Sequence, residues 1–247
     1  MAETTTQDVP AGTALHVGSV SKRFGSRPVL KGIDLAVPAG QAVCLCGING
    51  AGKSTLLRII AGLLRPDAGT VRIEGYDMHR EAEAAKRQLG LISHASMAYP
   101  ELTVGENLSF AARLYDLPDR RQRVEALLTD MDLAPFRHDR AAILSRGLLQ
   151  RLAIARALLH GPAVLLADEP FTGLDAGASE RLVTLLDRFV QAGGTILMTT
   201  HDVRLALRCC QRVAVLDRGV LRLDARKESI DANRFADDYL SYARSLP

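Results

Sequence analysis

At 247 residues, 47% of them apolar and 24% charged, the chain can bury one sizeable core or two small ones. Its 31 basic and 28 acidic residues leave a formal charge of +3, spread along the sequence, which gives no reason to invoke nucleic acid. No apolar run approaches the ~20 residues that cross a bilayer; "LLRIIAGLL" is short and Arg58 interrupts it.

Residues 1–12 are polar, lack an apolar signal core, and read as a disordered lead-in. "ALHVGSVSKRF" and "PVLKGIDLAVPAG" alternate like two strands of an antiparallel hairpin or sheet edge. "QAVCLC" is a short apolar strand whose Cys44 and Cys46 fall on one face, and small core hydrophobes are the reading adopted for them. It runs into a glycine-rich turn and a helix, "STLLRIIAGLL". "TVRIEG" is a strand, 81–88 a charged helix and "LGLIS" a further strand.

From about residue 95 to 160 the texture becomes helical, with Thr103 and Glu106 in capping-box spacing and a Ser-x-Gly stretch, Ser145 to Gly147, opening a third helix. Strand and helix then alternate again. "AVLLAD" precedes a helix over 177–192, "TILMTT" a helix from Asp202, and "RVAVLDRGVLRL" is a hairpin turning at Arg218-Gly219; residues 227–247 form a helical tail. This alternation predicts an α/β fold, a mostly parallel sheet wrapped by helices with a helical insertion.

"GINGAGKST" matches the phosphate-binding loop G-x-x-x-x-G-K-[ST] between a strand and a helix. Glycine suits it because backbone N–H groups must approach phosphate oxygens with no Cβ in the way. Gly47, Asn49, Gly50, Ala51, Gly52, Lys53, Ser54 and Thr55 are therefore the candidate nucleotide contacts, with Lys53 on the β/γ-phosphates, Ser54 on Mg²⁺ and Thr55 near the α-phosphate. Asp168 and Glu169 end a buried strand. With a phosphate loop upstream, Asp168 is placed to bind Mg²⁺ through water and Glu169 to orient or deprotonate the attacking water. His201, after "TILMTT", is placed to contact the γ-phosphate. Ser145 and the Gly147 amide form a second anion-binding helix start, 92 residues beyond Lys53.

Taken in order, Gly47–Thr55, "LSRGL" at 144–148, "LLADEP" at 165–170, "TGLD" at 172–175 and His201 resemble the ATP-binding subunit of an ABC transporter over nearly all of 15–223. The resemblance implies a P-loop NTPase fold, a RecA-like mostly parallel sheet with an antiparallel β edge and an α-helical signature subdomain over about 95–160, within one ATPase domain at 13–226. It implies Mg²⁺-dependent ATP hydrolysis by a head-to-tail dimer, with itself or a paralogue, in which Ser145 and Gly147 cover ATP held by the other copy. Asp175 would lie at that interface and Phe24 would stack on adenine, a buried core Phe being the plain alternative. Integral membrane permease subunits would be separate chains, placing this one at the cytoplasmic face of the cell membrane. Soluble relatives that act on DNA or ribosomes carry long insertions or paired cassettes, and a GTPase needs N-K-x-D; neither pattern occurs here.

Arg146 and Leu148 stand where many members have Gly and Gln. The glutamine that contacts Mg²⁺ in the family is absent; His94 takes its place by the commonest spacing, or Ala95 if the loop is one residue shorter. Within the family, "LISHASMAYPELTVGENLSFAARLYDL" and "TTHD" look most like the haem-exporter-type ATPase of cytochrome c maturation. Multidrug, lipid or polysaccharide exporters, and a catalytically weak regulatory cassette, are the alternatives.

Overall fold

The computed structural model describes residues 10–93, 97–200, 202–237, 239 and 241, apart from the side chains of Ala206 and Ala236. Two sheets organise it. The first is antiparallel, in the order β2-β1-β4-β5, from β1 (Thr13–Phe24), β2 (Arg27–Pro38), β4 (Ala68–Ile73) and β5 (Tyr76–Asp77). The second has six strands in the order β10-β9-β3-β8-β7-β6. Its β3 (Ala42–Cys46), β6 (Leu89–Ile92), β7 (Val164–Asp168), β8 (Thr195–Thr199) and β9 (Arg212–Asp217) run parallel, and β10 (Val220–Arg226) closes one edge antiparallel to β9.

The first two strands form the antiparallel hairpin the sequence predicts, within a sheet of their own rather than at an edge of the parallel one. The reason lies in β3, whose alternation is apolar on both faces. Val43 and Leu45 enter the core beneath the antiparallel sheet with Val17, Ile33, Leu56 and Ile60. Ala42, Cys44 and Cys46 enter a second core with Leu108, Leu152, Leu182 and Phe235. A strand buried on both faces needs a layer on each side. The antiparallel sheet with α1 (Lys53–Ile60) is one layer and the helices are the other.

Helices α3 (Val104–Leu114), α4 (Arg120–Asp130) and α5 (Arg146–Leu158) fill the predicted helical stretch, joined by 3-10 turns at Ala134–Phe136 and Ala141–Ile143. The capping box is present: Thr103 Oγ1 accepts from the Glu106 amide at 3.1 Å, and Glu106 Oε2 from the Thr103 amide at 2.8 Å. The helices α2 (Ala82–Arg87), α6 (Ala176–Gln191) and α7 (Val203–Cys209) lie where strand–helix alternation puts them. The last hairpin turns at Arg218 (φ 49°) and Gly219 (φ 79°), two left-handed residues as a tight primed turn requires.

Helix α1 is shorter than the apolar run that encodes it. Gly62 takes φ 66°, the Leu63 amide donates back to the Arg58 carbonyl at 2.9 Å, and the helix ends at Ile60. At the other terminus, α8 (Ala232–Asp237) buries Phe235 completely against the helical core, and its Asp237 pairs with Arg204 of α7 at 2.5 Å.

Candidate functional site

Parallel strands all deliver their C-terminal ends to one edge, and open α/β sheets bind ligands there. Here the loop 47–52 leaves β3, Asp168 ends β7, Thr199 ends β8 and Ser93 follows β6. They surround a cleft of about 500 Å³ lined by Asn49, Lys53, Ser54, Ser93, Asp168 and Glu169 among others, with Leu57, Leu91 and Met97 as apolar walls.

The phosphate loop is held by its own chain. Gly50 takes φ 81° with open space where a Cβ would stand, and Gly52 caps α1 in a left-handed conformation at φ 114°. Glycine is expected in this loop for phosphate approach, and at two positions the fold supplies a further reason. A Cβ on Gly47 would stand 2.5 Å from the Leu216 carbonyl oxygen, and one on Gly52 would stand 2.8 Å from Leu30 Cδ2. These two let the loop nest against β9 and β2, while Gly50 leaves the outer backbone clear. Lys53 Nζ donates to the Gly47 carbonyl at 2.5 Å and to that of Ile48 at 3.3 Å, curling over the loop. Ser54 is exposed at the first turn of α1, Ala51 is buried and Thr55 half-buried.

Across the cleft, β7 pairs in register with β8 so that Asp168 lies opposite Thr199. Thr199 Oγ1 donates to Asp168 Oδ1 at 2.6 Å, and the Glu169 amide donates to the Thr199 carbonyl at 3.1 Å and reaches Oγ1 at 3.2 Å. Thr199 is fully buried. It orients both acidic residues, and sequence reasoning passed over it; its place two residues before His201, at a strand end beside an acidic strand end, is the signal that could have found it. Glu169 sits at φ 54°, a left-handed backbone that a non-glycine residue holds only when its surroundings impose it. His94 and His201, with Ala95, lie outside the described residues.

The donors around the cleft are oxygens: the Ser54 hydroxyl, the Asp168 carboxylate with one oxygen held by Thr199, and Glu169. Among the described residues no cluster of three or more His, Cys, Asp or Glu forms a metal cage. A sparse oxygen set fits a small hard cation that keeps water ligands and shares a substrate's phosphates.

Ser145, Gly147 and Asp175 do not line this cleft; they gather elsewhere. Ser145 caps α5, its Oγ accepting from the Leu148 amide at 3.3 Å, and Gly147 falls in the first helical turn rather than before it. A Cβ on Gly147 would stand 3.2 Å from the Gly173 carbonyl oxygen, so the loop after Asp168 runs directly against α5. Gln150 of α5 ties the same loop, donating to the Pro170 carbonyl at 2.9 Å. Asp175 caps α6 by accepting from the Ala178 amide at 2.7 Å, and its other oxygen lies 3.9 Å from Arg151. Phe24 ends β1 with 52% of its surface exposed, so it is no core residue, and Lys22 Nζ lies 5.7 Å from its ring centre.

A loop of this geometry facing an acidic strand end has a family. The ABC transporter family profile matches residues 30–172. The chain belongs to that family. The cassette is 36% identical over 229 residues to the daunorubicin resistance ATP-binding protein DrrA3 of Streptomyces coeruleorubidus, covering 92% of this chain and 72% of that one. It is 40% identical over 200 residues to the lipoprotein-releasing system ATP-binding protein LolD of Porphyromonas gingivalis, covering 78% of this chain and 91% of the other. Among solved structures it resembles the dimeric cassette MJ0796 in a post-hydrolysis state with ADP and Pi, at TM-score 0.81 and 29% identity over 87% of this chain and all of that one. The cassette is thus an ATP-binding subunit of the ABC family, an ATPase on an α/β P-loop fold.

Proposed function

We propose that this cassette hydrolyses ATP with Mg²⁺ in the 500 Å³ cleft, Lys53 and Ser54 facing Asp168 and Glu169, and that a second cassette completes the site. The single observation that carries the reading is that facing arrangement. The Lys53 ammonium exchanges its bonds to the Gly47 and Ile48 carbonyls for charge-assisted bonds to the β- and γ-phosphates. Amides from Asn49 to Thr55 hold the phosphate chain, and Ser54 and Asp168 hold the cation, with His94, or Ala95 if the loop is one residue shorter, in place of the family's glutamine. The cation supplies neutralisation of phosphate charge. Glu169 accepts the proton of the attacking water or fixes its direction, its backbone pinned by Thr199, and His201 steadies the γ-phosphate. Phe24, exposed at the end of β1, stacks on the adenine.

Ser145 and Gly147 are exposed and half-exposed outside the cleft that Lys53 lines, which supports their serving ATP on a partner, as does the dimeric form of the structural relative. Asp175 lies beside them. The partner is a second copy or a paralogue, and permease subunits on separate chains anchor the pair at the cytoplasmic face of the cell membrane. No helix among the described residues is long and apolar enough to cross a membrane, which fits that division of labour. Residues 13–226 act as one cassette with a helical subdomain over about 95–160, followed by the tail 227–247. Within the family, the motif resemblance favours a haem-exporter-type system of cytochrome c maturation. The drug-resistance and lipoprotein-release relatives favour a second reading, an exporter of drugs or lipids.

Replacing Glu169 with Gln tests the chemical step. Steady-state ATPase activity is expected to fall about 100-fold or more while nucleotide binding persists, the usual size of a lost general base. Turnover within twofold of wild type would remove Glu169 from the mechanism.

A further inference from the structure

The helical half carries a second concave feature that the nucleotide cleft does not use. Ser109 and Arg113 stand one turn apart on α3, while Arg120, Arg121, Val124 and Glu125 share one face of α4. With Arg137 they line a groove of about 320 Å³ between the two helices. Val124 is its buried apolar base, and apart from polar edges the wall is mainly apolar, which makes the arginine stems a large part of it.

Four arginines line it, and the chain matches only two of them with carboxylates. Arg137 pairs with Glu125 at 2.5 Å, and Arg120 pairs with Asp116 at 2.8 Å while its Nε donates to the Leu117 carbonyl at 3.0 Å. The side chains of Arg113 and Arg121 have no hydrogen-bond or ion-pair partner among the described residues. Arginine cannot shed its proton to relieve the crowding, so the positive charge persists at every working pH. The Arg137 stem packs against α3: a Cβ on Gly105 would stand 3.2 Å from its Cγ. Its guanidinium is tied at the groove by Glu125.

We propose that this groove is an anion site that takes a compact phosphate-class group. Two guanidinium forks without protein partners match the paired oxygens of a phosphate in shape as well as charge. The Ser109 hydroxyl adds a neutral donor. The volume sits at the low end of the range of roughly 300–1,000 Å³ for ligand sites, which suits a diphosphate or a lipid head group rather than a folded partner. The free anion and the head group offer the same chemistry, and their source is a matter of measurement.

The test uses the whole cassette with its nucleotide cleft saturated by a non-hydrolysable ATP analogue, so that the phosphate loop is blocked. Inorganic pyrophosphate is titrated by calorimetry, and flotation is measured with vesicles of phosphatidylglycerol in phosphatidylcholine against phosphatidylcholine alone. Wild type is expected to bind at least one probe, and Arg113→Gln/Arg121→Gln to bind it at least about tenfold more weakly, as loss of two charge-assisted contacts implies. Binding of pyrophosphate alone assigns a soluble ligand, and binding of vesicles assigns a head group. Both residues are exposed, so the variant should keep wild-type ATPase activity, which doubles as the folding control. Wild type binding neither probe, or the variant binding as tightly as wild type, overturns the proposal.

Discussion

Thr199 shows how much of the proposed ATP site rests on a residue that does not line the cleft. Its hydroxyl has one proton to give and gives it to Asp168, and the oxygens of the same residue receive the Glu169 amide. Removing that hydroxyl leaves a half-buried carboxylate oxygen short of a donor, while the β-branched shape that suits a strand end is kept by valine. Thr199→Val is therefore expected to lower kcat about tenfold or more and to raise the Mg²⁺ concentration needed for half-maximal rate, in line with the roughly 10–100-fold cost of lost supporting bonds around metal sites. Thr199→Ser should restore both. A wild-type Mg²⁺ titration in the valine variant would show that Thr199 only fills space.

At the scale of elements, the β3–loop–α1 unit is where sequence and structure agree in outline and the structure adds a reason. The motif identifies the loop, but its spacing alone does not show that Gly47 is required by the Leu216 carbonyl 2.5 Å from the place of its missing Cβ. That contact joins residues far apart in the chain, so no local pattern could announce it. Gly47→Ala is expected to destabilise the fold by about 1–3 kcal/mol through overpacking, read as a lower urea midpoint with an unchanged slope. An unchanged midpoint would mean that the loop can shift freely off β9. The end of α1 was hidden for the opposite reason. Its apolar residues continue through Leu64, and only Gly62 turning left-handed stops the helix. The capping box of α3 and the Arg218-Gly219 turn were legible because the residues that make them are sequence neighbours. Asp175 was expected at an interface by resemblance; that it also caps α6 came only from the backbone.

Across the whole molecule, strand alternation revealed buried strands but not how the layers divide. The sequence shows β1 and β2 as strands; that they leave the parallel sheet and cover its face depends on the second core formed with α1. The cysteines illustrate the same limit. Cys44 and Cys46 were read as core hydrophobes on one face, and their sulfurs lie 3.5 Å apart within the same buried cluster as Cys209 and Cys210. The hydrogen bond with Cys46, and then burial, push the Cys44 thiol well up; burial does the same to Cys210 and lifts Cys209 to about 11. A thiol whose folded pKa is raised binds its proton more tightly in the folded state. Its contribution is complete below the unfolded value near 9 and is lost as pH climbs towards 11. Stability is therefore expected to decline between pH 9 and about 11, and iodoacetamide at pH 8 should modify the native chain far more slowly than the urea-unfolded one. Rapid alkylation of the native cassette would contradict the packing around β3.

The claim that organises the rest is that ATP in the cleft of one cassette is closed over by the Ser145 helix of another. Light scattering on Glu169→Gln with Mg²⁺ and ATP tests it most directly. The account predicts that the mass rises from one chain to two only when ATP is present, and that adding Ser145→Arg in the same chain returns it to one. A mass that stays at one chain with ATP, or a dimer indifferent to Ser145→Arg, would contradict it.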